Sequence, residues 1–296
     1  MRTADPTRNT DRIPPLILAC LAATWFVWGS TYLAIKFALE SFPPFFQMGT
    51  RFLLAGILLM LWAGWRRHKL PTFVEWRNAT IVGALMLGGG MGGTAYAEQS
   101  VASGLVVAFI AVTPALMTVA SLPFGVRPSR LELVGIGVGI LGVFLLAHGA
   151  GFAASPAGLV AIASACVAWS VGSVLSQHLF PLATSAVGFS SEMICGGIVL
   201  LMMSLLTGES VHWPPQSLAA AAWVYLVVFG SLIAFCAYMV LLGSTSPALA
   251  SSYSFVNPVV AMLLGVSFGG ESITTYEWLV ASIIVAGVTA VVLGRR

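Results

Sequence analysis

The chain has 296 residues, 58% of them hydrophobic and only 8% charged, with a formal net charge of +3. Its mean hydropathy is +0.97. An ordinary soluble domain carries about 25% charged residues, so this composition excludes a soluble enzyme and a basic nucleic-acid-binding surface, and it describes an integral membrane protein.

Apolar runs of about 18–25 residues read as bilayer-spanning helices. Ten lie at roughly 14–39, 45–65, 77–97, 103–123, 130–148, 156–178, 184–207, 217–241, 247–268 and 275–294. They are bounded by punctuation such as Pro43-Pro44, Arg66-Arg67 and Pro214-Pro215. A spanning strand alternates weakly over about ten residues, whereas these runs are apolar all round. With the N-terminus placed in the cytoplasm, Arg2, Arg8, Arg12, Arg66, Arg67, Lys69, Arg77, Arg127, Arg130, Arg295 and Arg296 fall inside, 11 of the 13 basic residues. The outer loops carry Glu40, Glu98, Glu209, Glu271 and Glu277. This asymmetry predicts an even number of spans with both termini cytoplasmic. Ile17-Leu18-Ala19-Cys20 is a weak lipobox with too short a hydrophobic lead, so no cleaved signal is expected. Cys20, Cys166, Cys195 and Cys236 lie far apart in apolar runs; neither disulfides nor a metal site is expected.

In the first predicted helix, Trp25, Trp28, Tyr32 and Lys36 are spaced 3, 4 and 4 apart and form one stripe. A cation at the centre of a membrane helix costs roughly 2.5–3.5 kcal/mol on insertion scales. Lys36 therefore either snorkels to the headgroups or meets a ligand carboxylate. Arg51, about two turns into the second helix, reads as a structural or gating residue, partnered by Glu40 or a free carbonyl. The third helix ends Thr94-Ala95-Tyr96-Ala97-Glu98-Gln99, and its glycines Gly88, Gly89, Gly92 and Gly93 suit close packing or a hinge. In the fourth, Thr113-Pro114 interrupts the helix and frees carbonyls. In the fifth, Gly137-Val138-Gly139-Ile140-Leu141-Gly142 matches a dinucleotide fingerprint but follows no strand, so it reads as helix packing. Glu192 in the seventh is a proton site or is paired near the helix end. Tyr238 stands in the eighth. The ninth carries Ser251, Ser252, Tyr253, Ser254, Asn257 and Pro258. The four histidines fall at loops or ends without a partner serine or an HExxH pattern, so no hydrolase constellation is visible.

The chain also repeats itself. Shifted by 141 residues, Trp28 lies over Trp169; by 142, Gly88 over Gly230 and Tyr96 over Tyr238; by 144, Thr113-Pro114 over Asn257-Pro258; by 145, Gly142 over Gly287. Residues 1–150 and 151–296 are therefore two halves of five helices each. Five is odd, so the second half enters the membrane inverted, a design suited to alternating access. The repeat maps the stripe onto Cys166, Trp169, Ser173 and Gln177.

Trp28-Gly29-Ser30, Arg51-Phe52-Leu53-Leu54-Ala55, Thr113-Pro114-Ala115-Leu116 and Leu141-Gly142-Val143, with Asn257-Pro258, Gly270-Glu271 and Ala286-Gly287-Val288 in the second half, resemble the EamA-type family of the drug/metabolite transporter superfamily. The resemblance spans nearly the whole chain. One departure is Gly125-Val126, where the family usually has Gly-Glu. Among members, the aromatic-rich first helix is most similar to bacterial exporters of aromatic and other neutral amino acids.

The fold expected is all-α and polytopic, with ten helices as two inverted five-helix repeats around a central cavity. The function expected is export of small metabolites, above all amino acids, across a bacterial inner membrane, with substrate and lipid bilayer as partners and no cofactor. Trp28, Tyr32, Lys36, Tyr96, Trp169, Ser173, Tyr238, Tyr253 and Asn257 are the substrate-binding candidates. Arg51, Glu98, Gln177 and Glu192 are the gating or coupling candidates. Glycine-rich faces leave room for a homodimer that no residue specifically supports. A carrier of lipophilic cations is the alternative; the superfamily's small multidrug members place a glutamate in their first helix, whereas here the first helix has a lysine and no acid before Glu40. A nucleotide-sugar or phosphate-ester carrier would want more cations than Lys36 and Arg51.

Overall fold

The computed structural model describes residues 13–101, 103–147, 155–269 and 274–294. Arg2, Arg8, Arg12, His148, the junction at 150–151, Gly270-Glu271, Arg295 and Arg296 lie outside the described residues.

Among the described residues the chain is helical, without β-strands. The elements are α1 (Pro15–Ala38), α2 (Pro44–Trp65), α3 (73–97), α4 (Ser103–Ile110), α5 (Thr113–Ser121), α6 (Arg130–Ala147), α7 (Pro156–His178), α8 (Ala186–Leu206), α9 (Ser217–Ser244), α10 (Pro247–Ala250), α11 (Tyr253–Gly269) and α12 (Thr275–Gly294). Five of them, α1, α2, α7, α8 and α9, are long and apolar enough to cross a membrane by length and composition. Their outer faces are apolar and open, with Leu61 66% and Leu206 85% exposed, as lipid contact requires.

Several helices depart from the uniform α geometry expected. α1 is π-helical over Ala23–Val27, α3 over Ala84–Gly92 and α9 over Leu226–Phe235. The last two are repeat-related. α3 also begins earlier than expected, because Thr72 caps it: Thr72 Oγ1 accepts from the Glu75 amide and Glu75 accepts from the Thr72 amide. Those bonds from the Thr72 amide and hydroxyl hold the Glu75 carboxyl below the usual carboxylate range. The fourth predicted helix breaks between α4 and α5, with Pro114 in the first turn of α5, where its missing N–H costs nothing. The ninth breaks elsewhere. It parts at Ser251-Ser252, between α10 and α11, and Pro258 stays inside α11.

Packing reveals direction. A Cβ on Gly49 would meet Leu201, one on Gly197 would lie 2.7 Å from Leu53 N, and one on Gly56 would lie 2.9 Å from Ile194 N. As the α2 number rises the α8 number falls, so these helices are antiparallel and nearly touch backbone to backbone. α6 and α12 do the same: a Cβ on Gly135 would meet Val291, one on Gly287 would lie 2.7 Å from Gly139 N, and one on Gly142 would meet Ile284. Only a residue without a side chain allows such approach, which in a bilayer is how dispersion and polar contacts accumulate. Each pair joins two helices that the sequence repeat superposes, and in both pairs the two helices run antiparallel.

Candidate functional site

The centre of the bundle is aromatic. The Trp28 ring lies 5.9 Å from Trp169, 5.4 Å from Tyr238 and 4.7 Å from Tyr253, and Trp169 lies 5.0 Å from Tyr238. Edge-on and tilted pairs of this kind contribute about 0.5–1.5 kcal/mol each beyond burial. The π-segments supply their anchors. A π-turn leaves carbonyls without the usual helical donor. Trp28 Nε1 donates to the Gly230 carbonyl at 3.1 Å, within the π-segment of α9. With its amide turned so that both ends are satisfied, the Asn257 nitrogen donates to the carbonyls of Trp25 at 2.9 Å and Tyr253 at 3.1 Å. Trp25 Nε1 in turn donates to Ser252 Oγ at 3.0 Å, in the break before α11. Helix irregularities and site side chains thus complete one another.

From this cluster a cavity of about 70 Å³ extends toward the ends of the bundle where α1 and α3 finish and α2 begins. Its wall includes Trp28, Thr31, Tyr32, Arg51, Thr94, Glu98, Thr113, Cys166, Trp169, Tyr253 and Asn257. Arg51 is 1% exposed. Its Nε and Nη1 have no hydrogen-bond partner, and neither has Trp169 Nε1. The opposite charge on the wall is Glu98. Glu40, the partner expected for Arg51, points to the outside.

The other expected residues fall elsewhere. Lys36 is exposed and off the wall. Cavity positions on α1 are 28, 31, 32 and 35, the true helical face. A stripe of 28, 32 and 36 drifts by about 80° over two turns at 3.6 residues per turn, which carries Lys36 away. Tyr96 is 40% exposed and stacks on Phe45 at 5.9 Å; at two residues from both Thr94 and Glu98 it sits about 200° round α3 from them. Tyr238 is fully buried behind the tryptophans and shares a 2.8 Å hydrogen bond with Ser173. Gln177 Nε2 donates to the Leu242 carbonyl at the far end. There Phe124 also stacks on His178 at 4.5 Å, and none of these residues lines the cavity. Glu192 is fully buried in α8, with both carboxylate oxygens unpartnered. The substrate-binding candidates read from sequence left out Thr31, Thr94, Thr113 and Cys166 of this wall, although the repeat put Cys166 on the second stripe. Thr113 carried a signal, since the repeat superposes it on Asn257.

The EamA-like transporter family model matches the sequence twice, over residues 14–147 and 156–293. The chain belongs to the EamA-like transporter family. It is a membrane transporter of small metabolites, within the drug/metabolite transporter superfamily. Among relatives of this EamA-like protein, "Uncharacterized inner membrane transporter YedA" of Escherichia coli (strain K12) is 39% identical over 280 residues, covering 94% of this chain and 91% of the relative. A "Probable amino-acid metabolite efflux pump" of Salmonella typhimurium is 24% identical, covering 91% of this chain and 92% of the other. One crystal structure of a protein matches with a TM-score of 0.78 at 22% identity, covering 95% of this chain and 99% of that one, a likeness of fold.

Proposed function

We infer that this transporter carries amino acids, aromatic ones included, by alternating access, and that it does so as an exporter in a bacterial inner membrane with ten spans and both termini in the cytoplasm. The observation that carries the substrate reading is the polarity of the cavity. Its wall holds a buried guanidinium with open donors, a carboxylate, and four aromatic rings, Trp28, Tyr32, Trp169 and Tyr253. An α-amino acid presents a carboxylate for Arg51, an ammonium for Glu98 and a side chain for the rings. Charge-assisted hydrogen bonds of this type are about twice as strong as neutral ones. Arg51, assigned a gating role from sequence, takes the carboxylate role first given to Lys36. Tyr32 and Asn257 line the same wall, and Ser173 and Tyr238 brace the rings from behind.

In this reading the Gln177–Leu242 contact and the Phe124–His178 stack form the closed gate, and transport requires them to part while the Glu98 end shuts. One observation favours lipophilic cations as a second substrate class: a carboxylate facing an aromatic wall suits them through cation–π contact. The single wall cation, Arg51, argues against a nucleotide-sugar or phosphate-ester carrier. Uptake of labelled phenylalanine, threonine, a quaternary ammonium compound and a nucleotide sugar into proteoliposomes separates these readings. Phenylalanine uptake is expected to be largest; uptake of the quaternary cation alone would sink the amino-acid reading.

A further inference from the structure

Arg51 and Glu192 occupy equivalent places in the two repeats. The register between α2 and α8 is fixed by structure at 141 residues. α2 ends at Trp65 and α8 at Leu206. The left-handed residues just beyond them are Arg67, with φ 58°, and Gly208, with φ 68°. The contact glycines are Gly56 and Gly197. Each pair is 141 apart, and so are Arg51 and Glu192. Arg51 lines the present cavity. Glu192 lies in the corresponding position toward the Gln177 end, buried and off the wall of the present cavity.

Its surroundings make it costly. Glu192 is 0% exposed and neither oxygen has a partner. The ionisable groups that face it are Cys195 on its own helix and Cys236 and Tyr238 on α9. α2 and α3, packed on its other sides, set no charged group against it among the described residues. An ionised carboxylate cannot be kept in such a place without a cation or donors; it neutralises by taking a proton. Cys236 marks the same region. At an offset of 142 it corresponds to Thr94, another wall residue of the present cavity. The position corresponding to Glu98 at that offset is Val240, so the mirror cavity has one acidic group and no counter-charge at either place.

We propose that Glu192 is a proton-binding site of a second cavity, which forms at the Gln177 end when the transporter reverses. This rests on the alternating-access reading. In the reversed state the carboxylate meets water and ionises. Before the molecule returns to the present state, a hydronium ion at that face delivers a proton to one carboxylate oxygen, and the neutral carboxyl is buried. On reopening, the proton leaves to water at the same face. Glu192 therefore links the conformational balance to pH on one side only, and by itself carries no proton across.

The test uses two full-length single-cysteine chains with the other native cysteines replaced by serine. One keeps Cys236; the other carries Thr94→Cys. Each is labelled with a membrane-impermeant thiosulfonate in right-side-out and inside-out vesicles. The proposal expects Cys236 to label from the face opposite to Thr94→Cys. It also expects Thr94→Cys labelling to fall as pH rises on the Gln177 face alone, by up to about tenfold per pH unit for one linked proton. Glu192→Gln should hold that labelling at its acid level. Labelling of Thr94→Cys from one face with none of Cys236 from either overturns the proposal and leaves alternating access standing, since Glu192 would never meet water. Labelling of both from the same face overturns alternating access as well. Opposite labelling whose pH dependence survives Glu192→Gln overturns the proton role.

Discussion

The two ends of the central aromatic cluster share one helical scaffold and differ in what their side chains do. Toward Glu98, the positions on α1, α2 and α3 are Tyr32, Arg51, Thr94 and Glu98, and they line open space. Toward Gln177, their counterparts on α7, α8 and α9 are Ser173 and Glu192, which are buried, and Cys236 and Val240, which are partly buried, and none of them lines the cavity. Backbone symmetry is thus kept while side-chain chemistry diverges: one end holds both signs of charge, the other only a carboxyl group. On the alternating-access proposal, the repeat supplies two similar conformations and this divergence decides what each one holds.

The comparison can be broken most severely at its centre. Trp28→Ala removes three ring contacts and the bond to Gly230, and should cost about 3–5 kcal/mol of stability by the usual scale for large aromatic truncations. Thermal unfolding in detergent reads the loss, and transport should vanish with it. If Trp28→Ala is as stable as the parent, the cluster does not hold the two halves together. Next, Glu98→Gln should weaken binding of an amino acid relative to its desamino acid by about 1.5–3 kcal/mol, the worth of a hydrogen bond to a charged group. Competition against labelled phenylalanine measures it, and equal weakening of both compounds would remove Glu98 from the ammonium site. Gly197→Ala places a methyl 2.7 Å from Leu53 N and 3.0 Å from Gly49 O. Overpacking of that sort costs about 1–3 kcal/mol. Gly287→Ala should cost a similar amount, its Cβ lying 2.7 Å from Gly139 N; a large difference would show that the two antiparallel pairs are not equivalent. The smallest effect belongs to Lys36→Ala. An exposed side chain off the wall should change stability by no more than about 0.5 kcal/mol, and phenylalanine uptake should match the parent. A transport defect there would restore Lys36 to the pathway.

The helices and the repeat were legible because both depend on long-range pattern: apolar runs, their punctuation and landmark residues recurring at 141–145. Trp28 and Trp169 were legible for the same reason. The site's polar groups were less so. Lys36 and Arg51 look alike in sequence, each a cation near a helix end, and only rotation about the helix axis separates them. That rotation depends on π-segments and on which neighbour packs where, neither of which a spacing of four encodes. Pro114 and Pro258 taught a related lesson. Of these equivalent prolines one opens a helix just after a break and the other lies inside a helix, because the second break is taken over by Ser251-Ser252, whose hydroxyls bond locally or reach Trp25.

The account's central claim is that Arg51, set in an aromatic cavity between antiparallel repeats, binds a substrate carboxylate. The most direct measurement compares inhibition of labelled phenylalanine uptake by unlabelled phenylalanine and by its amide, in proteoliposomes of the parent and of Arg51→Gln. The parent should prefer the free acid, and Arg51→Gln should lose that preference by weakening the acid while leaving the amide nearly unchanged. If the preference survives intact in a folded Arg51→Gln protein, the carboxylate is held elsewhere and the claim is wrong.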